Sequence, residues 1–268
     1  MLRKMPKYQK ILRNIAYKVF NRIENNGNID PNRNGEYFLI LSLLRFKKNL
    51  KRELTIFDVG ANIGNYTKLI LELASKLDIH LNLHLFEPQK SCYEILTKLY
   101  GDKKNIKINN FGASDKETTA ILYYDTPKSG LASIYKRNLK HYQIDFNHSE
   151  EIQLKRLDEY ILSMNIEHID FIKIDVEGHE LSVLKGLGNF LNYEFIDFIQ
   201  FEYGGANIDS RTYLLDFYSL LEEKGFKIAK IMPNYLELRE YHPFMENFCY
   251  QNYVAISNKI LEILAREY

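Results

Sequence analysis

The chain has few cysteines, no long apolar run and almost no net charge. Its 268 residues include only two cysteines, Cys92 and Cys249, which stand far apart and match no metal-binding spacing. The sequence therefore indicates neither a disulfide framework nor a cysteine metal site. We expect both to be free thiols of a protein in a reduced compartment.

Other absences narrow the class of protein. The sequence has no run of about 18 apolar residues and no apolar stretch followed by a cleavage site near its start. This pattern predicts a cytoplasmic protein without stable membrane insertion. The net charge is +1 and the pI is near 7.7. Because wrapping nucleic acid requires an excess of basic charge, we expect no nucleic-acid partner.

Length and composition favour one catalytic domain with an extension, since 268 residues with 46% hydrophobic content can bury a full core. Residues 1–50 are predicted to form an N-terminal helical cap. Residues 51–260 are predicted to form the main domain, with an insert at 125–150. In the cap, apolar residues from Met5 to Ile23 recur at helical spacing among basic ones, and 36–50 reads as a buried helix. Packing of the first helix on its own domain or on a partner subunit is favoured over contact with an anionic membrane, and a homodimer stays open.

Strands and helices alternate through the main domain, as a parallel sheet requires. Seven core strands are predicted, at residues 55–58, 81–86, 106–109, 169–174, 195–201, 227–231 and 250–256. The last strand follows a long connection, 233–249, so we expect it to run antiparallel at an edge. Extended segments at 118–124 and 151–154 flank the insert. The predicted fold is a Rossmann-like α/β domain with a mostly parallel sheet and helices on both faces.

The first predicted strand ends in a loop of small residues that is typical of a cofactor site. Its spacing is Asp-x-Gly-x-Asn-x-Gly, formed by Asp58, Gly60, Asn62 and Gly64. Small or left-handed-tolerant residues let backbone N–H groups approach a ligand closely. The dinucleotide fingerprint Gly-x-Gly-x-x-Gly is absent, and a carboxylate suits the cationic sulfonium and amino groups of S-adenosylmethionine better than a pyrophosphate. The loop favours S-adenosylmethionine, with another nucleotide or a structural turn as alternatives.

Further cofactor contacts are expected at the next two strands. Glu87 closes the second strand, where an acid can accept hydrogen bonds from both hydroxyls of a ribose. Its alternative role is that of an acid favoured by the following helix dipole. After the third strand, small residues that include Gly112 and Ala113 stand where an adenine would lie.

Acids end the fourth and fifth of the seven predicted strands. Asp175 and Glu177 follow the fourth strand and Glu202 the fifth, at the sheet edge where open α/β sheets bind ligands. They are candidate catalytic residues, either as a base or as ligands of the cofactor's amino group. We predict no metal, although these oxygens leave a divalent cation as an alternative. Lys173 is expected to pair with one of the acids, either as part of the scaffold or as a further candidate catalytic residue. His179 is a candidate base or a surface residue.

The chain resembles the FkbM-type family of S-adenosylmethionine-dependent methyltransferases over about residues 34–256. The blocks that carry the resemblance are 34–36, 58–67, 86–88, 156–159 and 172–180 together with 184–186. The resemblance implies a class I methyltransferase fold, O-methylation, and acceptors that are often hydroxyls of sugars or natural products. It also implies that Asp175 and Glu177 are the acids of the fourth-strand block, whereas it gives His179 no support as a base. The cofactor-binding residues expected within these blocks are Glu36, Asp58, Gly60, Asn62, Gly64, Tyr66, Thr67, Glu87, Pro88 and Asp175.

These observations together predict an O-methyltransferase that acts on a hydroxyl of a sugar, a nucleotide-linked sugar or a surface-polysaccharide component. Asp175 or Glu202 is the expected base, and the acceptor is a small molecule or a saccharide. Alternatives are a natural-product methyltransferase, a non-catalytic cofactor-binding scaffold, or a nicotinamide oxidoreductase, against which the missing fingerprint argues. The insert is expected to cover the site as a lid and to meet a phosphate or carboxylate of the acceptor through a group of basic and aromatic residues: Tyr135, Lys136, Arg137, Lys140, His141 and Tyr142.

Overall fold

A computed structural model describes residues 4–50 and 52–267. Eleven strands occur in this part of the chain: β1 Leu54–Val59, β2 Leu81–Phe86, β3 Ile106–Asn109, β4 Gly112–Ala113, β5 Thr118–Tyr124, β6 His148–Lys155, β7 Ile169–Ile174, β8 Ile196–Tyr203, β9 Phe226–Met232, β10 Tyr235–Leu238 and β11 Gln251–Ser257. The helices are α1 Lys7–Ile23, α2 Glu36–Lys47, α3 Asn65–Leu77, α4 Lys90–Tyr100, α5 Leu157–Ser163, α6 Glu180–Gly186, α7 Ala206–Ser210, α8 Leu214–Glu223 and α9 Asn258–Glu267.

Eight strands form the main sheet, in the order β10-β9-β11-β8-β7-β1-β2-β3. Pairing is parallel from β8 through β7, β1 and β2 to β3, whereas β11 is antiparallel to both β8 and β9. The predicted α/β fold, with a mostly parallel sheet and an antiparallel last strand, is confirmed. Strand β7 is buried at all six positions, as expected of a central strand that is covered on both faces.

The main sheet differs from the prediction in two details. The last strand lies inside the sheet, between β8 and β9, and the edge is instead formed by β10. This eighth strand lies in the segment that was predicted as a connection, because a two-residue turn at Pro233 and Asn234 folds the chain back on β9. With four residues, none of them buried, β10 carries little hydrophobic signal.

A second, three-stranded sheet has the order β4-β6-β5. It contains the extended segments predicted on either side of the insert, and β6 begins at His148, inside the predicted insert. The helix predicted over 36–50 ends earlier, because α2 stops at Lys47. Arg211, between α7 and α8, has a φ of +57°.

Hydrophobic residues pack on both faces of the main sheet. Successive strand residues point to opposite faces, so Phe57 and Val59 join one cluster while Leu54 and Ile56 join the other. Helices α5, α6 and α8 cover the first face, and α2 and α3 cover the second, which confirms helices on both faces. Helix α2, which belongs to the predicted N-terminal cap, packs in the same core as the main domain. The predicted boundary between cap and main domain at residue 50 therefore stays a prediction. No helix within 4–50 or 52–267 combines the length and apolar character needed to cross a membrane.

Candidate active site

The carboxyl ends of β1, β2, β7 and β8 meet at one edge of the main sheet and border a cavity of about 1280 Å³. Ligands of open α/β sheets bind at this edge. Pockets for small molecules are typically roughly 300–1,000 Å³, so this cavity has room for two reactants side by side. Most of the predicted site residues line it: Glu36, Gly60, Asn62, Tyr66, Glu87, Pro88, Gly112, Ala113, Lys173, Asp175, Glu177, His179 and Glu202.

The loop after β1 is held in a conformation that needs small residues. Gly60 and Gly64 have φ of +85° and +87°, and Asn62 has +48°. A Cβ on Gly60 would lie 1.8 Å from the backbone oxygen of Asp175, so only glycine allows the loop to pass this close to the end of β7. The amide N–H of Gly60 donates to the backbone oxygen of Phe86 at 2.9 Å. The loop is therefore fixed against both neighbouring strands.

Three of the predicted cofactor residues lie behind the loop instead of lining the cavity. Asp58 is fully buried, and its Oδ2 accepts a hydrogen bond from Thr67 Oγ1 at 2.6 Å. Burial raises the pKa of Asp58, and its Oδ1 has no hydrogen-bond partner among the described residues. A Cβ on Gly64 would lie 2.8 Å from Leu96 Cδ2, so this glycine lets α3 and α4 pack closely. These three residues shape the loop.

Glu87 joins the loop to the end of β2. Its Oε2 accepts from the backbone N–H of Asn62 at 2.7 Å, and its Oε1 accepts from that of Gln89 at 2.8 Å. Burial raises the pKa of Glu87 to about 7, although both hydrogen bonds oppose the shift. The buried Nε2 of Gln89, which also lines the cavity, has no partner in the described part of the chain. This wall therefore offers a carboxylate and a spare N–H donor to a ligand.

Three carboxylates converge at the ends of β7 and β8. One oxygen from each of Asp175, Glu177 and Glu202 lies within 4.8 Å of the other two. Lys173 donates to Asp175 Oδ2 at 2.9 Å, and Arg137 donates to Glu177 Oε2 at 2.5 Å. The expected pairing of Lys173 with an acid is therefore present in the structure. Glu202 has no ion-pair partner among residues 4–50 and 52–267.

Burial of the three acids and the repulsion between them favour the binding of a cation at this cluster. Burial and the charge of Asp175 raise the pKa of Glu177 to about 8, and the same causes raise that of Glu202 well above its ordinary value. Burial alone would lower the pKa of Lys173, but the charges of Asp175, Asp58 and Glu36 outweigh it and raise the pKa. The oxygens suit a divalent cation in type and spacing, yet two of the three acids are already paired. That no metal binds stays a prediction.

His179 has both ring nitrogens engaged. Its Nε2 lies 2.9 Å from Ser114 Oγ, and its Nδ1 lies 3.0 Å from the hydroxyl oxygen of Tyr135. Burial lowers its pKa to about 4, so the ring is neutral at pH 7. This arrangement connects the insert to Ser114, the residue after β4, and leaves no ring nitrogen for a substrate proton. The geometry therefore favours a positioning role over that of a base. Glu180 supports the same turn, because its Oε1 accepts from the backbone N–H groups of Val176 and Gly178.

Glu36 enters the cavity from α2 and is positioned by a residue that sequence reasoning missed. Gln200 Nε2 donates to Glu36 Oε1 at 2.7 Å, and Tyr66 donates to Gln200 Oε1 at 2.5 Å. Tyr66 also lies beneath Lys173, whose Nζ is 4.7 Å from the ring centroid. The sequence signal that could have identified Gln200 is its position as a polar residue within an apolar strand, two residues before Glu202.

The insert lies across the cavity. Asn62 Nδ2 donates to the backbone oxygen of Ser129 at 3.0 Å, which fastens the insert to the loop after β1. Arg137 extends to Asp209 of α7 at 3.3 Å as well as to Glu177. Of the six insert residues expected to meet an acceptor, Arg137 and Tyr142 line the cavity. Lys136, Lys140 and His141 are exposed outside it.

Comparison with known proteins gives the site a chemical context. The family model described as Methyltransferase FkbM domain matches residues 58–228. Methyltransferase 1 of Beauveria bassiana is 25% identical over 201 residues, which cover 67% of this chain and 75% of that protein. The 2-O-methyltransferase NoeI of Sinorhizobium fredii is 26% identical over 55% of this chain and 60% of its own length. The hexuronic acid methyltransferase AglP of Haloferax volcanii is 26% identical over 51% of each chain.

Proposed function

The chain belongs to the FkbM methyltransferase family, uses S-adenosylmethionine as its cofactor, and, we propose, methylates a hydroxyl group of a saccharide. The observation that carries the proposal is Glu202. This half-buried carboxylate, which has no ion-pair partner in the described part of the chain, stands in the same cavity as the glycine-containing loop and Glu87. An acid beside a cofactor loop can receive the proton that a hydroxyl loses when it is methylated.

We assign the cofactor to the side of the cavity formed by β1 and β2. Glu87 and the spare N–H of Gln89 would hold the ribose, while Pro88, Gly112 and Ala113 would border the adenine. Asp175 would accept hydrogen bonds from the amino group of the methionine part, because its carboxylate lies in a cluster that favours cations. Asp58, Gly64 and Thr67 would act through the shape of the loop, since they do not line the cavity.

The cofactor supplies a methyl group on a sulfonium, so the acceptor oxygen forms a C–O bond as the C–S bond breaks and S-adenosylhomocysteine leaves. The protein's part is to align the acceptor and to take its proton. Glu202 is our first choice for the base, because Asp175 is paired with Lys173 and Glu177 with Arg137. A raised pKa makes the ionised form of a carboxylate a stronger base.

A saccharide is the proposed acceptor class because charged side chains border the acceptor side of the cavity. Arg137 of the insert lines it beside Glu177. A guanidinium there would suit an acidic sugar or a nucleotide-linked sugar. The similarity to a 2-O-methyltransferase and to a hexuronic acid methyltransferase supports the same choice.

The test is an acceptor screen that measures S-adenosylhomocysteine release. The purified chain would be incubated with S-adenosylmethionine and with neutral sugars, hexuronic acids, nucleotide-linked sugars and non-sugar hydroxyl compounds. We expect turnover with a saccharide, an O-methyl signal in the NMR spectrum of the product, and loss of turnover in Glu202→Gln. Methylation of carbon, or turnover of non-sugar acceptors only, would overturn the proposal. Failure to bind either S-adenosylmethionine or S-adenosylhomocysteine would overturn catalysis altogether.

A further inference from the structure

Helix α1 presents an apolar face that the described protein does not cover. From Lys7 to Ile23 it has no buried residue. The apolar side chains on one face are more than half exposed: Tyr8 62%, Ile11 52%, Leu12 61%, Ile15 55%, Val19 52% and Ile23 67%. A contiguous exposed apolar surface of this kind marks a contact site.

The helix touches the rest of the protein on its other side. The Tyr17 hydroxyl lies 3.4 Å from Cys249 Sγ, and Asn21, one turn later on the same side, is only partly exposed. Ile15 and Val19 stand two residues from Tyr17, which is roughly 200° around a helix with 3.6 residues per turn. They therefore point away from the domain. Packing on the domain, which the sequence favoured, does not account for this face.

The charged residues of α1 indicate what covers its apolar face. Helix α1 contains five basic residues and no acidic one: Lys7, Lys10, Arg13, Lys18 and Arg22. A second copy packed through the same face would bring the two basic sets together, and like charges at an interface are unfavourable. An anionic surface has the complementary charge. A helix with an apolar face and a basic remainder lies in the interface of a lipid bilayer.

We propose that α1 is an interfacial helix that binds the surface of bilayers containing anionic lipid. The opposite side of the helix borders the cavity, which Tyr17 lines together with Ile29, Tyr142 and Ile208. The binding goes beyond methyl transfer and does not depend on it.

The experiment is co-sedimentation of the full chain with vesicles of phosphatidylcholine, alone or with phosphatidylglycerol at about one third of the lipid. We expect binding to the mixed vesicles that weakens as salt is added, and much weaker binding to the neutral ones. Ile11→Ser combined with Ile15→Ser removes buried apolar area and should weaken binding at least about tenfold. Lys18→Gln combined with Arg22→Gln, at exposed positions beside the apolar face, should weaken it roughly thirtyfold, or about fivefold per charge. Asn14→Gln, on the polar side, is the matched control and should bind like the unchanged chain.

Three results would overturn the proposal. The first is no binding to mixed vesicles at low salt. The second is binding that the two isoleucine substitutions leave unchanged. The third is a dimer in light scattering that the same substitutions dissociate, which would show that a second copy covers the face. Because α1 is exposed, the variants should keep the circular dichroism spectrum and S-adenosylhomocysteine affinity of the unchanged chain. Failure of lipid binding is thereby distinguished from failure of the proposed function.

Discussion

Ser133 donates a hydrogen bond to the backbone oxygen of Glu177, with 2.7 Å between Oγ and O. Glu177 has a φ of +51°, in the left-handed region that residues other than glycine seldom adopt. The contact fixes the insert over the cavity and helps to hold an acid of the site in an uncommon conformation. Strained residues of this kind persist only where their surroundings determine them.

Ser133→Ala should therefore reduce both stability and cofactor affinity. The same hydroxyl oxygen accepts from the backbone N–H of Tyr135, so its removal leaves two groups without their partner. We expect the free energy of unfolding to fall by roughly 1–3 kcal/mol, measured by urea denaturation. Affinity for S-adenosylhomocysteine should fall severalfold in a calorimetric titration. Ser149→Ala, at an exposed position of β6, is the control and should change neither quantity. Equal stability of the two variants would contradict this role for Ser133.

Glu87→Gln tests the assignment of the cofactor's ribose. The substitution keeps the shape of the side chain and removes the charge that would strengthen hydrogen bonds from ribose hydroxyls. Such charge-assisted bonds contribute roughly 1.5–3 kcal/mol, so S-adenosylhomocysteine affinity should fall about ten- to a hundredfold. Glu94→Gln, on the exposed side of α4, is the matched control. Unchanged affinity in Glu87→Gln would place the ribose elsewhere.

Gly60→Ala and Gly27→Ala distinguish two reasons why a position requires glycine, a positive φ and the close approach of another backbone segment. Both positions have positive φ, but a Cβ at Gly27 meets open space, whereas at Gly60 it would lie 1.8 Å from the backbone of Asp175. Gly27→Ala should cost about 1 kcal/mol for the backbone conformation alone. Gly60→Ala should cost more than about 3 kcal/mol, because the loop or the end of β7 must move. The comparison is made by urea denaturation, and similar losses would show that the close approach is unimportant.

Local patterns predicted the parts of the site that lie at strand ends. The loop from Gly60 to Gly64, Glu87 and Asp175 follow apolar strands directly, and parallel strands bring such ends to one edge. The orientation of the Asp58 side chain could not be predicted from the sequence, because the loop geometry decides whether a side chain at a strand end faces the cavity or the core. Its contact with Thr67 depends on how α3 packs against β1.

Contacts between segments that are distant in the chain could not be predicted from the sequence either. Arg137 and Glu177 are separated by 40 positions, and no spacing rule joins an irregular insert to a strand end. Strand β10 was missed because it is short and half-exposed. Helix α9 was also missed, although Ile260, Leu261 and Leu264 recur there at helical spacing.

Glu202→Gln tests the proposed base. General-base catalysis contributes about 10²–10⁴-fold, so turnover should fall by at least about a hundredfold once an acceptor is known. Affinity for S-adenosylhomocysteine should change little, because we place the cofactor against Asp175 and Glu87. Glu223→Gln, with a largely exposed side chain on α8, is the control for the charge change. A parallel loss of affinity and turnover would instead place Glu202 in the cofactor site.

The acids of the cavity also predict how cofactor binding depends on pH. The pKa of Glu177 is raised to about 8 and that of Glu87 to about 7, both from 4.5 and chiefly by burial. In the free protein these groups hold protons near neutral pH. A bound cation would expel the proton of Glu177, and hydrogen bonds from the ribose hydroxyls would favour the ionised form of Glu87. Affinity for S-adenosylmethionine should therefore rise as the pH increases from 6 to 8, with release of protons.

Folding stability should have the opposite pH dependence. Raised carboxyl pKa values mean that the folded chain binds more protons than the unfolded chain between about pH 4.5 and 8. The stability that these groups contribute is present below that range and is lost as the pH rises through 7 to 8.

The protons released on cofactor binding are measured by calorimetric titrations with S-adenosylmethionine in two buffers of different ionisation enthalpy. Glu177→Gln should release fewer protons and flatten the pH dependence of affinity, and Glu223→Gln should leave both as they are. If the unchanged chain and Glu177→Gln released equal numbers of protons, the cationic group would not bind beside Glu177.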